Sequence, residues 1–146
     1  MHEPLFSVAV DTSEQAISND EADAVRRGLI EFNRRHLHDD YKPLGIYAHD
    51  GAGRMIGGIV GTLCWGICSV DLLWVEEAWR GRGVGSALMA AAEETARAHG
   101  CRRIVLDTMS FQAPDFYRKL GFERFGFLTG YPGGVTRSYL VKDVAP

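Results

Sequence analysis

The chain has 146 residues, with 16 Lys and Arg against 19 Asp and Glu, a formal charge of −3 that gives no pull toward nucleic acid or an anionic membrane. Its 46% apolar and 24% charged residues exclude a disordered segment and suit one folded domain spanning residues 1–146. The 17 glycines stand well above the usual share of ~7%.

Cys64, Cys68 and Cys101 are an odd count, and the opening Met1-His2-Glu3-Pro4 lacks the basic and apolar regions of a secretory leader. A cytoplasmic protein without a disulfide framework is expected. The C-x3-C spacing has no second pair, so Cys64 and Cys68 read as core thiols and no metal is expected. The longest uncharged stretch, residues 55–70, has 16 residues broken by four glycines, short of the ~20 a spanning helix needs.

Residues 5–10 alternate apolar with small or polar side chains and predict a first strand. From about Asp20, the recurrence of Ala22, Val25, Leu29 and Phe32 predicts a helix, with Ser18, Asn19 or Asp20 as N-cap. Residues 33–43 are polar and aperiodic and predict a loop. Residues 44–49, 55–65 and 67–75 predict three antiparallel strands, joined by Asp50-Gly51-Ala52-Gly53-Arg54 and by a turn at Gly66. Val84, Leu88, Ala91, Thr95 and Ala98 have helical period, with Gly100 at the C′ position. Residues 104–108 predict a strand parallel to residues 67–75. A short helix over 113–120 stops at Gly121, and residues 122–127 and 136–141 form a last hairpin around Tyr131-Pro132-Gly133-Gly134.

Between the third of these antiparallel strands and the following helix lies Arg80-Gly81-Arg82-Gly83-Val84-Gly85-Ser86. Residues without Cβ let a ligand approach the backbone, and unpaired N–H groups at a helix start attract anions. Arg80 and Arg82 add guanidinium groups suited to phosphate oxygens. The P-loop spacing fails because no Lys follows, and the dinucleotide fingerprint fails because the third glycine is misplaced and the preceding strands are antiparallel. Phosphate or pyrophosphate is the expected ligand chemistry.

The segment Leu73-Trp74-Val75-Glu76-Glu77-Ala78-Trp79-Arg80-Gly81-Arg82-Gly83-Val84-Gly85-Ser86-Ala87-Leu88 resembles the fourth strand, pyrophosphate loop and following helix of GNAT N-acetyltransferases. Ala113-Pro114-Asp115-Phe116-Tyr117-Arg118-Lys119-Leu120-Gly121-Phe122 is similar to the family's A-x-x-F-Y-x-x-x-G-F signature, and the phrase from Phe111 to Tyr117 resembles small bacterial members. The resemblance implies a mixed α/β fold: a mostly antiparallel sheet of about seven strands, splayed between the fourth and fifth and flanked by helices.

It also implies acetyl-CoA as cosubstrate and an amine acceptor; the charge balance and the short uncharged stretch give the expectation of no nucleic-acid or membrane partner. A homodimer is compatible with the sequence but not readable from it. The backbone N–H groups of Arg82, Gly83, Val84, Gly85 and Ser86 would hold the pyrophosphate, with Gly81 in the same loop and the Arg80 side chain supporting the charge. Leu73, Trp74 and Val75 would line the pantetheine arm, with the Val75 N–H as oxyanion donor. Phe116 and Tyr117 would lie at the cofactor, Tyr117 as general acid to the departing thiolate. Ser110 stands where many members have a pantetheine-binding Asn; Ser110 or Gln112 would replace it.

Asp71 is the first candidate base, directly or through water, with a cross-strand ion pair as its alternative role, and Glu76 is the second. His36, His38 and His49 read as solvated groups, with contact to the acceptor as the alternative for the loop histidines. Residues 32–41 and 125–135 would line the acceptor site, offering Asp39, Asp40, Tyr41, Phe127 and Tyr131. Two functions follow: an N-acetyltransferase for a small-molecule or, second, a protein amine, and a non-catalytic CoA-binding module.

Overall fold

A computed structural model describes residues 5–144. The chain divides into two compact units, Met1–Asp39 and Asp40–Pro146.

In the first unit, α1 (Asp20–Asn33) starts at Asn19, whose side-chain oxygen accepts the Ala22 N–H at 2.9 Å. Asp20, Glu21 and Asp23 place negative charge at its positive end. The strand expected over residues 5–10 is absent: this exposed segment has no regular structure and pairs with no strand of the sheet. Alternation gives a strand two faces, but a lone strand leaves its backbone donors and acceptors unpaired.

The second unit holds β1 (Lys42–His49), β2 (Met55–Cys64), β3 (Ile67–Val75), α2 (Val84–Ala98), β4 (Arg103–Met109), α3 (Pro114–Lys119), β5 (Glu123–Leu128) and β6 (Arg137–Asp143). The sheet therefore has six strands among the described residues, in the order β1-β2-β3-β4-β6-β5, where about seven were expected. β3 and β4 are parallel, as predicted, and β6 lies between β4 and β5. β1 begins inside the expected loop; its Pro43 is tolerated because β1 is an edge strand.

α2 buries Leu88, Met89, Ala92 and Ala96 in a core shared with Ile59, Leu63, Cys68, Val70, Ile104, Leu106 and Leu140. Each large apolar side chain buried there contributes about 1.5–3 kcal/mol. Cys68 is fully buried, and loss of hydration pushes its thiol up to about 11, with the charges of Cys101 and Asp71 acting in the same direction. Burial also raises the Cys101 thiol. No helix among the described residues is long and apolar enough to cross a membrane, and none of their side chains form a metal-binding group of three or more.

Two features of β2 and β3 position the site. Val60 faces Leu72 while Gly61 faces Val70, so Asp71 is the extra residue of a β-bulge. The bulge shifts the alternation by one: Cys68 and Val70 point into the core, then Leu73 and Val75 border it, while Leu72 and Trp74 are exposed. The glycines of β2 permit close approach. A Cβ on Gly57 would meet the Trp74 carbonyl at 2.8 Å, and one on Gly61 would overlap the Ser69 carbonyl.

Gly61→Ala is expected to destabilise the protein by about 1–3 kcal/mol through this overlap. Gly51→Ala, in open space in the hairpin turn, should change stability far less. Urea unfolding of both variants checks the contrast.

Candidate active site

β3 runs beside β4 only from Ile67 to Val70, opposite Arg103 to Leu106. Beyond Val70 it continues to pair with β2 as far as Val75, so β3 and β4 part and leave a gap. The register shows which backbone groups face it. The Glu76 N–H donates to the Ile56 carbonyl at 2.8 Å, which makes Gly57 opposite Val75 a non-hydrogen-bonded pair. By the same alternation Leu73 is also non-hydrogen-bonded to β2, whereas Trp74 is bonded to it. Of the three residues expected at the pantetheine arm, Leu73 and Val75 turn their N–H and C=O toward the gap. Trp74 spends its backbone on β2 and exposes its indole.

The Val75 carbonyl accepts from Arg80 Nε at 3.0 Å, so Arg80 ties the loop to the strand end. Gly81 and Gly83 have φ of +74° and +86°, a left-handed backbone that only glycine adopts without strain. A Cβ on either would meet nothing within 4 Å, so the front of the loop is open. Gly83 caps α2 without a side-chain hydrogen bond, and the first helical bond runs from the Ala87 N–H to the Gly83 carbonyl at 3.0 Å. The N–H groups of Val84, Gly85 and Ser86 have no helical partner, and no acidic side chain lies in the first turn. Arg82 lies over the Trp79 ring, 4.8 Å from its centre.

The two motifs meet at Gly85, where a Cβ would sit 3.2 Å from the Phe116 ring. Phe116 packs edge-on against Tyr117, which in turn packs edge-on against Phe122. Tyr117 is 8% exposed, and loss of hydration followed by the Asp107 charge raises its phenol above the usual value near 10.

Ser110 accepts the Thr136 N–H on Oγ at 3.1 Å and donates its own N–H to the Thr136 carbonyl, joining the end of β4 to the start of β6. Gln112 Oε1 accepts the Met109 N–H at 2.7 Å and closes the turn before α3. Asp71 is exposed on its bulge, where β3 leaves β4. Glu76 is ion-paired to Arg54 at 2.9 Å, so its carboxylate is already engaged. In the first unit His36 packs on Phe32, and residues 32–39 belong to that unit.

Sequence reasoning missed Asp107 and its partner Arg137. A single charged residue in the apolar strand 104–108 was the available signal, but its partner lies 30 positions away on β6.

The profile of the acetyltransferase (GNAT) family matches residues 8–122, a span that crosses both units. The chain belongs to the GNAT acetyltransferase family. It is 39% identical over 130 residues to the blasticidin-S acetyltransferase of Streptomyces morookaense, covering 86% of this chain and 93% of that protein. An acetyltransferase structure from Bacillus cereus superposes with a TM-score of 0.80 at 29% identity, covering 94% of this chain and 97% of that one. An aminoglycoside 6′-N-acetyltransferase solved with coenzyme A shares the fold alone, at 16% identity and a TM-score of 0.65 over 92% of this chain and 82% of that one. This GNAT protein is an acyltransferase, and its open sheet is that of the family.

The raised Tyr117 phenol has a measurable consequence. The difference in ultraviolet titration between the protein and Tyr117→Phe should show an ionisation above pH 10. The folded state holds this proton more tightly than the unfolded state, so the contribution to stability is complete below pH 10 and is lost as pH rises through the folded value.

Proposed function

We propose that this GNAT protein transfers the acetyl group of acetyl-CoA to a primary amine of a small molecule, directly within a ternary complex, and that residues 1–146 act as one catalytic domain in the cytoplasm. The observation that carries this reading is the gap between β3 and β4, with the Val75 N–H facing it and the uncapped start of α2 just beyond.

The residues present fit the donor. The free N–H groups of Val84, Gly85 and Ser86, with those of Arg82 and Gly83, offer an anion cradle for pyrophosphate behind the open front of Gly81 and Gly83. Arg80 acts by fixing the loop through the Val75 carbonyl and by its positive charge. Leu73 and Val75 present backbone groups to the pantetheine arm, and Phe116 seats the second motif on Gly85. Ser110 and Gln112 border the arm, although the Ser110 oxygen also holds the start of β6 and the Gln112 oxygen also closes the turn before α3.

In the transfer, the neutral amine attacks the thioester carbonyl and the Val75 N–H donates to the oxygen as negative charge develops. The carbon–sulfur bond breaks and the Tyr117 hydroxyl gives its proton to the thiolate. The phenol is protonated at neutral pH even at its ordinary value, and burial raises it further, so the proton is there to give. Asp71, exposed at the rim of the gap, takes the amine proton through water. Glu76 fits the base role less well because Arg54 holds it.

The similarity to a blasticidin-S acetyltransferase makes blasticidin S the first acceptor to test, followed by other small amines. Acetyl-CoA at 100 times its Kd should stabilise the fold by about 2.7 kcal/mol. Gly83→Val should abolish that shift, because a β-branched residue does not adopt a φ of +86° without strain. Tyr117→Phe should lower kcat by about 10²–10⁴ and leave acetyl-CoA affinity within about twofold. Absence of any thermal shift with acetyl-CoA would overturn the reading.

A further inference from the structure

We propose that Asp107 binds the cationic amine of the acceptor, and that Arg137 and Tyr131 hold it in position. This rests on the transfer reading above and adds the chemical group that selects the acceptor.

Asp107 follows Leu106, the last residue of β4 paired to β3, so it stands on the rim where the gap opens. It alternates with Ile104, Leu106 and Thr108, which are buried, and its own side chain is 38% exposed. Its charge acts with burial, the larger cause, to raise the Tyr117 phenol. Asp71 occupies the β3 side of the same opening. The two strands thus bring one carboxylate each to the rim, complementary in charge to an ammonium.

How Arg137 contacts Asp107 separates a binding role from a structural ion pair. An arginine that only ties two strands together commonly forms a two-oxygen fork with its carboxylate. Here Arg137 Nε lies 3.0 Å and Nη2 2.9 Å from the same oxygen, Oδ1. No hydrogen bond to Oδ2 occurs among the described residues. The remaining nitrogen, Nη1, donates to the Tyr131 hydroxyl at 3.4 Å, and the guanidinium lies 5.2 Å from the centre of the Tyr139 ring. Arg137 is therefore fixed on three sides and turns Asp107 so that one oxygen is left as an acceptor. Tyr131 brings the loop between β5 and β6 to the same point.

The test combines binding and kinetics on the full chain loaded with CoA or acetyl-CoA. With ¹³C-labelled aspartate, the Asp107 carboxyl resonance, assigned by its loss in Asp107→Asn, is followed while propylamine is added near neutral pH. A saturable shift several times larger than that of Asp115, absent with propanol, is expected; Asp115 is an exposed residue of α3 already paired to Arg118. A response no larger than that of Asp115 overturns the proposal. For every amine the protein acetylates, Asp107→Asn should raise the acceptor KM at least tenfold while acetyl-CoA Kd stays within twofold. Arg137→Gln should raise the same KM with a smaller effect on kcat, a split that simple loosening of the sheet would not produce. An unchanged acceptor KM in Asp107→Asn overturns the proposal. If propylamine binds at Asp107 but no amine is acetylated, the amine site stands and the transfer reading fails.

Discussion

The site depends on a change of partner by one strand. β3 keeps its hydrogen bonds to β2 over its whole length but leaves β4 after Val70, and an edge exposed inside a sheet must find other partners or water. The gap is therefore bordered, beside the hydrophobic core, by a row of oriented backbone groups without a strand partner, of which the Val75 carbonyl takes Arg80 Nε. Leu73 and Val75 supply that row because the pairing register with β2 turns their backbone outward. The bulge at Asp71 allows it without cost to the core: it returns Leu73 and Val75 to the buried face just where the strand starts to diverge.

The other parts of the site are arranged around this opening. The left-handed backbone at Gly81 and Gly83 turns the chain from the end of β3 into α2, so the start of that helix comes shortly after the stretch of β3 that has left β4. Arg80 links strand and loop through the Val75 carbonyl. Gly85 lets Phe116 pack against the first turn, which fixes α3 and its buried Tyr117 relative to α2. On the β4 side, Asp107 and Arg137 bring polar groups to the same rim. A glycine-rich composition thus serves two needs: close contact between β2 and β3, and an approachable loop.

Much of this was readable in the chain itself. The glycine-rich loop and the second signature are local, so their residues mark the turn and the family, and α2 ends at the expected glycine, Gly100. The three antiparallel strands were marked by turns of Asp and Gly. Longer-range features were not readable. Residues 5–10 have the alternation of a strand, but whether a strand forms depends on a neighbour that the local pattern does not reveal. Likewise the bulge at Asp71 reflects an extra residue relative to β2, and the role of Asp107 appears only when β6 is inserted beside β4. Spacing alone suggests ligand contacts for Ser110 and Gln112 and does not show the hydrogen bonds they make in the fold, Ser110 joining the end of β4 to the start of β6 and Gln112 closing the turn before α3.

The central claim is that the parted strands present Val75 to the reacting carbonyl while the start of α2 holds the phosphates. Amide ¹H–¹⁵N spectra recorded with CoA and with acetyl-CoA test it most directly. Both ligands should shift Val84, Gly85 and Ser86 alike, and acetyl-CoA alone should move the Val75 amide strongly downfield as it donates to the thioester oxygen. A Val75 amide that responds equally to both ligands, or to neither, while the α2 amides shift, would contradict the account.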